Sequence, residues 1–170
     1  VRNQGKGAKK KFIKLHAHTT TDSEMPFFLS AKVTKGCKHD SPQLKHLIRA
    51  KSDDIGLDDV SLDSAFLSRR NAQFLADSGA HPYIALKKNI SSALSKGYPA
   101  WNAMIHEAWR NPEGYEKNYH RRSVIEGVFS AFKHRFGCEV SSKIRHNQNI
   151  EVLSRVVAWN MLALAYHRYP

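Results

Sequence analysis

The feature that most constrains this chain is a change of period at Tyr98. Before it, short stretches with strand-like alternation trade places with helical stretches, and after it only the helical period remains. Residues 11–19, KFIKLHAHT, alternate apolar and polar side chains, which predicts a half-buried strand. A polar turn around TTTDSEM leads to a second strand at 26–34, PFFLSAKVT, spaced for an antiparallel hairpin. A helix is expected over 41–51, where Ser-Pro opens SPQLKHLIRAK and Leu44, Leu47 and Ile48 share a face. Residues 58–66, DDVSLDSAF, read as a short buried strand running into a turn. The next helix, 68–79, has Ser68 as N-cap and Gly79 as its stop. A further strand follows at 81–89, and helices at 99–111, 118–137 and 149–169 complete the chain. This order predicts an α/β fold, a mixed sheet flanked by helices, in one domain over residues 11–170. Residues 1–10, VRNQGKGAKK, are basic and Gly/Lys-rich and are expected to be flexible.

Charge narrows the range of partners. Lys and Arg number 27 against 15 acids, a net charge of +12 and a pI near 9.9 in a chain of 170 residues. Such an excess favours a polyanion, because Lys and Arg contacts to phosphate supply most sequence-independent nucleic-acid affinity. A membrane is the competing partner, but the longest apolar run, VVAWNMLALAY, is interrupted by Asn160 and too short to span a bilayer. The basic N-terminus lacks the apolar core of a signal peptide, so a cytoplasmic location is expected. Cys37 and Cys138 match no zinc spacing and read as reduced, incidental thiols.

The stretch NYHRRSVIEGVFSAFKHRFG, 118–137, holds one carboxylate, Glu126, among Arg121, Arg122, Lys133 and Arg135. On a continuous helix Tyr119, Arg122, Glu126 and Lys133 fall within roughly 60° of one another. Val124, Ile125, Val128, Phe129 and Phe132 form the adjoining apolar stripe. Taken alone, Arg122 and Glu126 read as a solvated i,i+4 pair worth a few tenths of a kcal/mol.

The spacing of Tyr119, Arg122, Glu126 and Lys133 resembles the Tyr-Arg-Glu-Lys signature of insertion-sequence DDE transposases, of the insertion sequence family four type. LDSAFLSRRNAQFLADSGAHPYIALKKN is similar to that family's segment around its second catalytic Asp, with Asp63 in that place and Phe66 where a Tyr is usual. KKFIKLHAHTTTDSEMPFFLSAKVTKGCKHDSPQLKHLI resembles the preceding hairpin, so the likeness covers about residues 10–137. The resemblance implies an RNase H-like fold and phosphodiester cleavage with strand transfer. It implies Mg²⁺ or Mn²⁺ held by carboxylates, here Asp63 and Glu126. Arg122 and Lys133 would contact phosphates or orient a carboxylate, and Tyr119 would sit near flanking DNA. The implied partners are transposon ends and target DNA, with room for a homodimer.

The family's first Asp lies on a strand upstream of the hairpin, and no counterpart precedes residue 11 here. Asp22 and Asp40 are the nearest acids, one in the hairpin turn and one after the second strand, and neither is promoted to that role. The expectation is therefore the C-terminal part of a catalytic domain, from a truncated or split transposase. The alternative is a catalytically inactive remnant with at most non-specific DNA binding.

Other groups have plainer readings. His16 and His18 form an HxH on one strand face, which metal-dependent barrel hydrolases also use, but such barrels need about 250 residues. Asp53, Asp54, Asp58 and Asp59 lack the spacing and Gly of a Ca²⁺ loop and read as a solvated acidic loop. Ser64 has no nucleophile elbow around it. Trp101, Trp109 and Trp159 are each expected in the core, with Lys96, Tyr98 and Trp101 as a weaker DNA-binding group. Lys143, Arg145 and His146 read equally as phosphate contacts or as a solvated loop. The last helix is expected to be structural, turning Ile150, Leu153, Val156, Val157, Leu162 and Leu164 largely inward.

Overall fold

The structure is a computed structural model and describes residues 12–88, 90 and 95–169. The stretch 1–10, expected to be flexible, lies outside them, as does Asn89 at the end of the last expected strand. The chain is mixed α/β, and its alternating segments form the expected kinds of element. Strands β1 (Ile13–Thr19) and β2 (Phe28–Lys35) pair as an antiparallel hairpin, with Leu15 opposite Val33 and Ala17 opposite Ala31. A 3₁₀ turn, Ser41–Gln43, leads into α1 (Leu44–Arg49). Strand β3 (Asp59–Leu62) runs into a second 3₁₀ turn, Ser64–Phe66. Helix α2 (Arg69–Asp77) returns the chain to β4 (His81–Ile84), which pairs parallel to β3. Ser68 caps α2 by accepting the Asn71 amide at 3.1 Å, and Gly79 follows its end with φ +83°, a conformation that a side chain disfavours.

Four helices follow: α3 (Pro99–Arg110), α4 (Pro112–His120), α5 (Ser123–Phe136) and α6 (Arg145–Arg168). The helix expected over 118–137 is thus two helices with a joint at Arg121 and Arg122. The joint is tight: the amides of Arg122, Val124 and Ile125 donate to Tyr119, Arg121 and Arg122, each three residues back. Packing explains the break. On α4, Tyr115 and Tyr119 pack with Tyr83 and Ile84 of β4. On α5, Val124, Val128 and Phe132 pack with Phe28, Leu15 and Ala17 of the hairpin. The two helices serve different sheets.

One mixed sheet was expected, but among the described residues there are two separate two-stranded sheets, β1–β2 and β3–β4. No described strand lies between β1 and β3 to join them. The halves are held instead by helices on either side. Leu44 and Ile48 of α1 pack with Val60 of β3, while the Leu47 carbonyl accepts the Ser30 hydroxyl of β2.

The outer edge of each half is capped by a side chain. Asn160 of α6 pairs with both the amide and the carbonyl of Phe28, each at 2.8 Å. The Tyr115 hydroxyl accepts from the Ile84 amide at 2.9 Å and donates to its carbonyl at 2.8 Å. Each side chain thus does for one residue what a neighbouring strand would do.

The last helix departs from its expected orientation. Val152, Val156, Trp159 and Ala163 are buried, whereas Ile150, Leu153, Val157, Met161 and Leu164 are exposed. Leu162 is half-buried. Trp159 Nε1 donates to the Pro26 carbonyl, and together with Asn160 this fixes the helix's rotation. An apolar residue on a long helix need not face its own core, and here that rotation turns Val157 and Leu164 outward. Trp109, expected in the core, is 59% exposed, while Trp101 and Trp159 are buried.

Candidate active site

A cleft of about 550 Å³ lies between the two sheets. Leu44, Leu47 and Ile48 of α1 line one side, Ile125 and Phe129 of α5 another, and the facing strands β1 and β3 border it. Asp63, Arg122 and Glu126 also border it.

Asp63 immediately follows β3. Its carboxylate accepts the Ser64 amide at 2.6 Å and so caps the 3₁₀ turn. Glu126 stands in the first turn of α5, where the helix dipole favours an anion. Arg122, at the joint before α5, contacts both: Nη1 is 2.7 Å from Glu126 Oε1 and 4.0 Å from Asp63 Oδ2. The two oxygens are therefore no farther apart than those distances laid end to end, inside the roughly 8 Å that a pair of ions about 4 Å apart can bridge. Asp63 and Glu126 are 53% and 61% exposed at the side chain, so both are open to a ligand from solvent. Burial pulls the Arg122 pKa down, but Tyr119, Glu126 and Asp63 outweigh it and hold the guanidinium charge more firmly than usual. Its Cζ lies 5.5 Å from the Tyr119 ring centroid, a cation–π contact. Exposed ion pairs contribute at most about 1 kcal/mol each, so this group is a weak device for stability.

Tyr119, Arg122 and Glu126 are thus brought together, with Asp63 arriving from the other sheet. Lys133 is not. It is exposed on α5, does not border the cleft, and stands seven residues past Glu126, about 10 Å along the axis. Phe66 packs beside Leu44, Val60 and Leu75 as an apolar wedge.

Three further acids around the cleft have partners of their own. Asp40 accepts Lys14 Nζ at 2.6 Å and faces His16 Nδ1 at 3.0 Å, while His16 Nε2 meets the Thr34 hydroxyl at 2.8 Å. Burial lowers the His16 pKa despite Asp40, with Lys14 and Lys32 adding to the decrease. Asp22 accepts the Thr21 hydroxyl at 3.2 Å in the hairpin turn. Arg121 reaches Asp59 at 3.6 Å, a pairing that the sequence reading did not anticipate. No local sequence signal pointed to it, since Arg121 and Asp59 are far apart in the chain. His16 and His18 share a strand face as expected, yet the described residues contain no group of three His, Cys, Asp or Glu placed to hold a metal ion.

The family model of the transposase DDE domain matches residues 1–161. The chain belongs to this family. Neither the search of curated proteins nor that of solved structures found a match. Membership gives this transposase domain a transposase-type function with DNA as its substrate. Among the described residues, no helix is long and apolar enough to cross a membrane. Asp63 and Glu126 offer the hard oxygen donors that Mg²⁺ or Mn²⁺ prefers, but they are two ligands without a third. The described residues alone do not make a complete metal site.

Proposed function

We propose that this transposase domain has an RNase H-like fold and supplies the second and third carboxylates of a DNA-cleaving site, Asp63 and Glu126. The observation that carries the reading is their convergence on the Arg122 guanidinium from two different sheets. The insertion-sequence origin and the Tyr-Arg-Glu-Lys signature rest on the spacing of Tyr119, Arg122, Glu126 and Lys133. Bound Mg²⁺ or Mn²⁺ would activate the attacking oxygen and stabilise the leaving one. Arg122 orients Glu126 and places a cation between the two carboxylates. Lys133, in no ion pair among the described residues and exposed on α5, is free to meet a phosphate along the DNA. The site lacks its first Asp, so cleavage requires that residue from outside residues 12–169, as in a truncated or split chain. A homodimer belongs to the same reading, supported by the exposed stripe of Ile150, Leu153, Val157, Met161 and Leu164 on α6.

The test pairs binding with cleavage. Fluorescence anisotropy on duplex DNA should show affinity falling steeply with salt, about 0.9 log units per log unit of salt for each phosphate neutralised. Salt-independent binding would remove phosphate contact as its basis. With Mg²⁺ or Mn²⁺, cleavage should appear only when the Asp-bearing strand is supplied, and Asp63→Asn or Glu126→Gln should abolish it while binding persists. Cleavage that survives both substitutions would sink the assignment. If binding occurs and the supplied strand restores nothing, the chain is the inactive DNA-binding remnant instead.

A further inference from the structure

The outer edge of β2 has no strand beside it among the described residues, and Asn160 caps it only at Phe28. Gly36 N donates to Phe12 O, and in the same register Lys32 lies opposite His16, so the even-numbered residues of β2 bond to β1. Because antiparallel ladders alternate, Ala31 and Val33 turn their amides and carbonyls to the outer edge. The register shift between His18 and Thr19 gives Phe28 the same outward aspect. Asn149 lies eleven residues before Asn160, about three turns, and so on the same side of α6. Its Oδ1 is buried without a hydrogen-bond partner among the described residues.

A groove of about 250 Å³ runs along this uncapped stretch. Ala31, Lys32 and Val33 form its floor, Asn149 and Leu153 stand on the α6 side, and His46 stands on the α1 side. Ala31 packs with Phe28, Val128 and Trp159, so its face of β2 is the α6 face. The Ser30 hydroxyl reaches the Leu47 carbonyl, so Lys32, in step with Ser30, shares the α1 face with His46. The groove is therefore apolar toward α6 and basic toward α1. No acid among the described residues borders it, and neither Lys32 nor His46 is in an ion pair there.

We infer that the outer edge of β2 binds an extended peptide of a partner protein, added as a strand beside Ala31 and Val33, with apolar residues toward Leu153 and carboxylates toward Lys32 and His46. Every peptide residue carries both a donor and an acceptor, as the outward groups of Ala31 and Val33 require. A nucleic-acid backbone offers phosphate acceptors, which suit the two amides but are repelled by the two carbonyls. A second copy of this chain is disfavoured, because pairing two β2 edges brings Lys32 of each copy toward the other. Asn149 Oδ1 is placed to accept one further amide of the peptide. The segment is about five residues long, the usual length of a strand.

Hydrogen–deuterium exchange of the full chain, with amide-resolved detection, tests this. The probe is a synthetic peptide of alternating Val and Glu, and a control carries Lys in place of Glu. The Val-Glu peptide should slow exchange at Ala31 and Val33 tenfold or more, and the Val-Lys peptide should not. Only one edge of the peptide faces β2, so N-methylation of either the Val or the Glu amides should abolish protection while the other set spares it. Lys32→Glu with His46→Glu should weaken binding tenfold or more while unliganded exchange in α2 and α3 stays unchanged. No protection by the Val-Glu peptide would mean that Lys32 merely guards the edge, and would overturn the inference. Equal protection by the Val-Lys peptide, by both methylated forms or by duplex DNA would overturn it as well. So would protection that rises with protein concentration alone, the mark of a second copy.

Discussion

Lowering the pH from 7 to 5 should destabilise the protein through one residue on the cleft wall, His18. Its Nδ1 is buried without a hydrogen-bond partner, and burial, followed by the charge of Lys51, lowers its pKa from 6.5 to about 4. The folded state therefore resists a proton that the unfolded chain accepts. The contribution of neutral His18 is intact above the unfolded value, shrinks as pH falls below about 6.5, and is gone below about 4. At about 1.4 kcal/mol per pKa unit, the full loss is about 3 kcal/mol, of which about 2 kcal/mol falls between pH 7 and pH 5. His16 is shifted in the same direction and adds to the loss. Urea unfolding at both pH values, on the wild type and on His18→Gln, isolates the His18 share from the other titrating groups. The wild type should lose about 2 kcal/mol more than the variant over this interval. Equal losses in the two proteins would refute the argument that burial holds this imidazole neutral.

Tyr115→Phe removes one hydroxyl and strands both the amide and the carbonyl of Ile84, which is fully buried. Urea unfolding should show a loss of about 2–4 kcal/mol, and a loss below about 0.5 kcal/mol would mean that water replaces the phenol at this edge. Val157→Glu, on the exposed stripe of α6, should convert a dimer to a monomer by light scattering while the circular dichroism spectrum is retained. Lys133→Ala should leave thermal stability unchanged and reduce the salt dependence of DNA binding by about one phosphate contact, read from the slope of log K against log salt.

Elements were more legible in this sequence than their assembly. Period and caps are local properties, so the hairpin, Ser68, Gly79 and the helices could be read from neighbours a few residues apart. The joint at Arg121–Arg122 was not visible, because 118–137 carries one continuous amphipathic pattern. Only the separation of the two sheets shows why Tyr119 and Val124 must face different layers. The rotation of α6 was hidden for a similar reason. Apolar residues occupy more than one of its faces, and long-range bonds from Trp159 and Asn160 to the start of β2 select the buried one. At the site, spacing identified Arg122 and Glu126 as neighbours, and the resemblance added Asp63. It did not reveal that Arg121 is paired with Asp59 or that Asp40 is already engaged by Lys14 and His16.

The geometry also links the carboxylate pair to the cleft beside it. Asp63 is fixed to the β3–β4 half, whereas Glu126 rides on α5, which packs against the β1–β2 half. Their separation is therefore a distance between two sheets with no described backbone hydrogen bond joining them. Across that gap, Arg122 grips Glu126 at 2.7 Å but reaches Asp63 only at 4.0 Å, beyond good hydrogen-bond length. A metal site would need its ligands held within about 0.5 Å, which two exposed side chains and one flexible guanidinium do not provide.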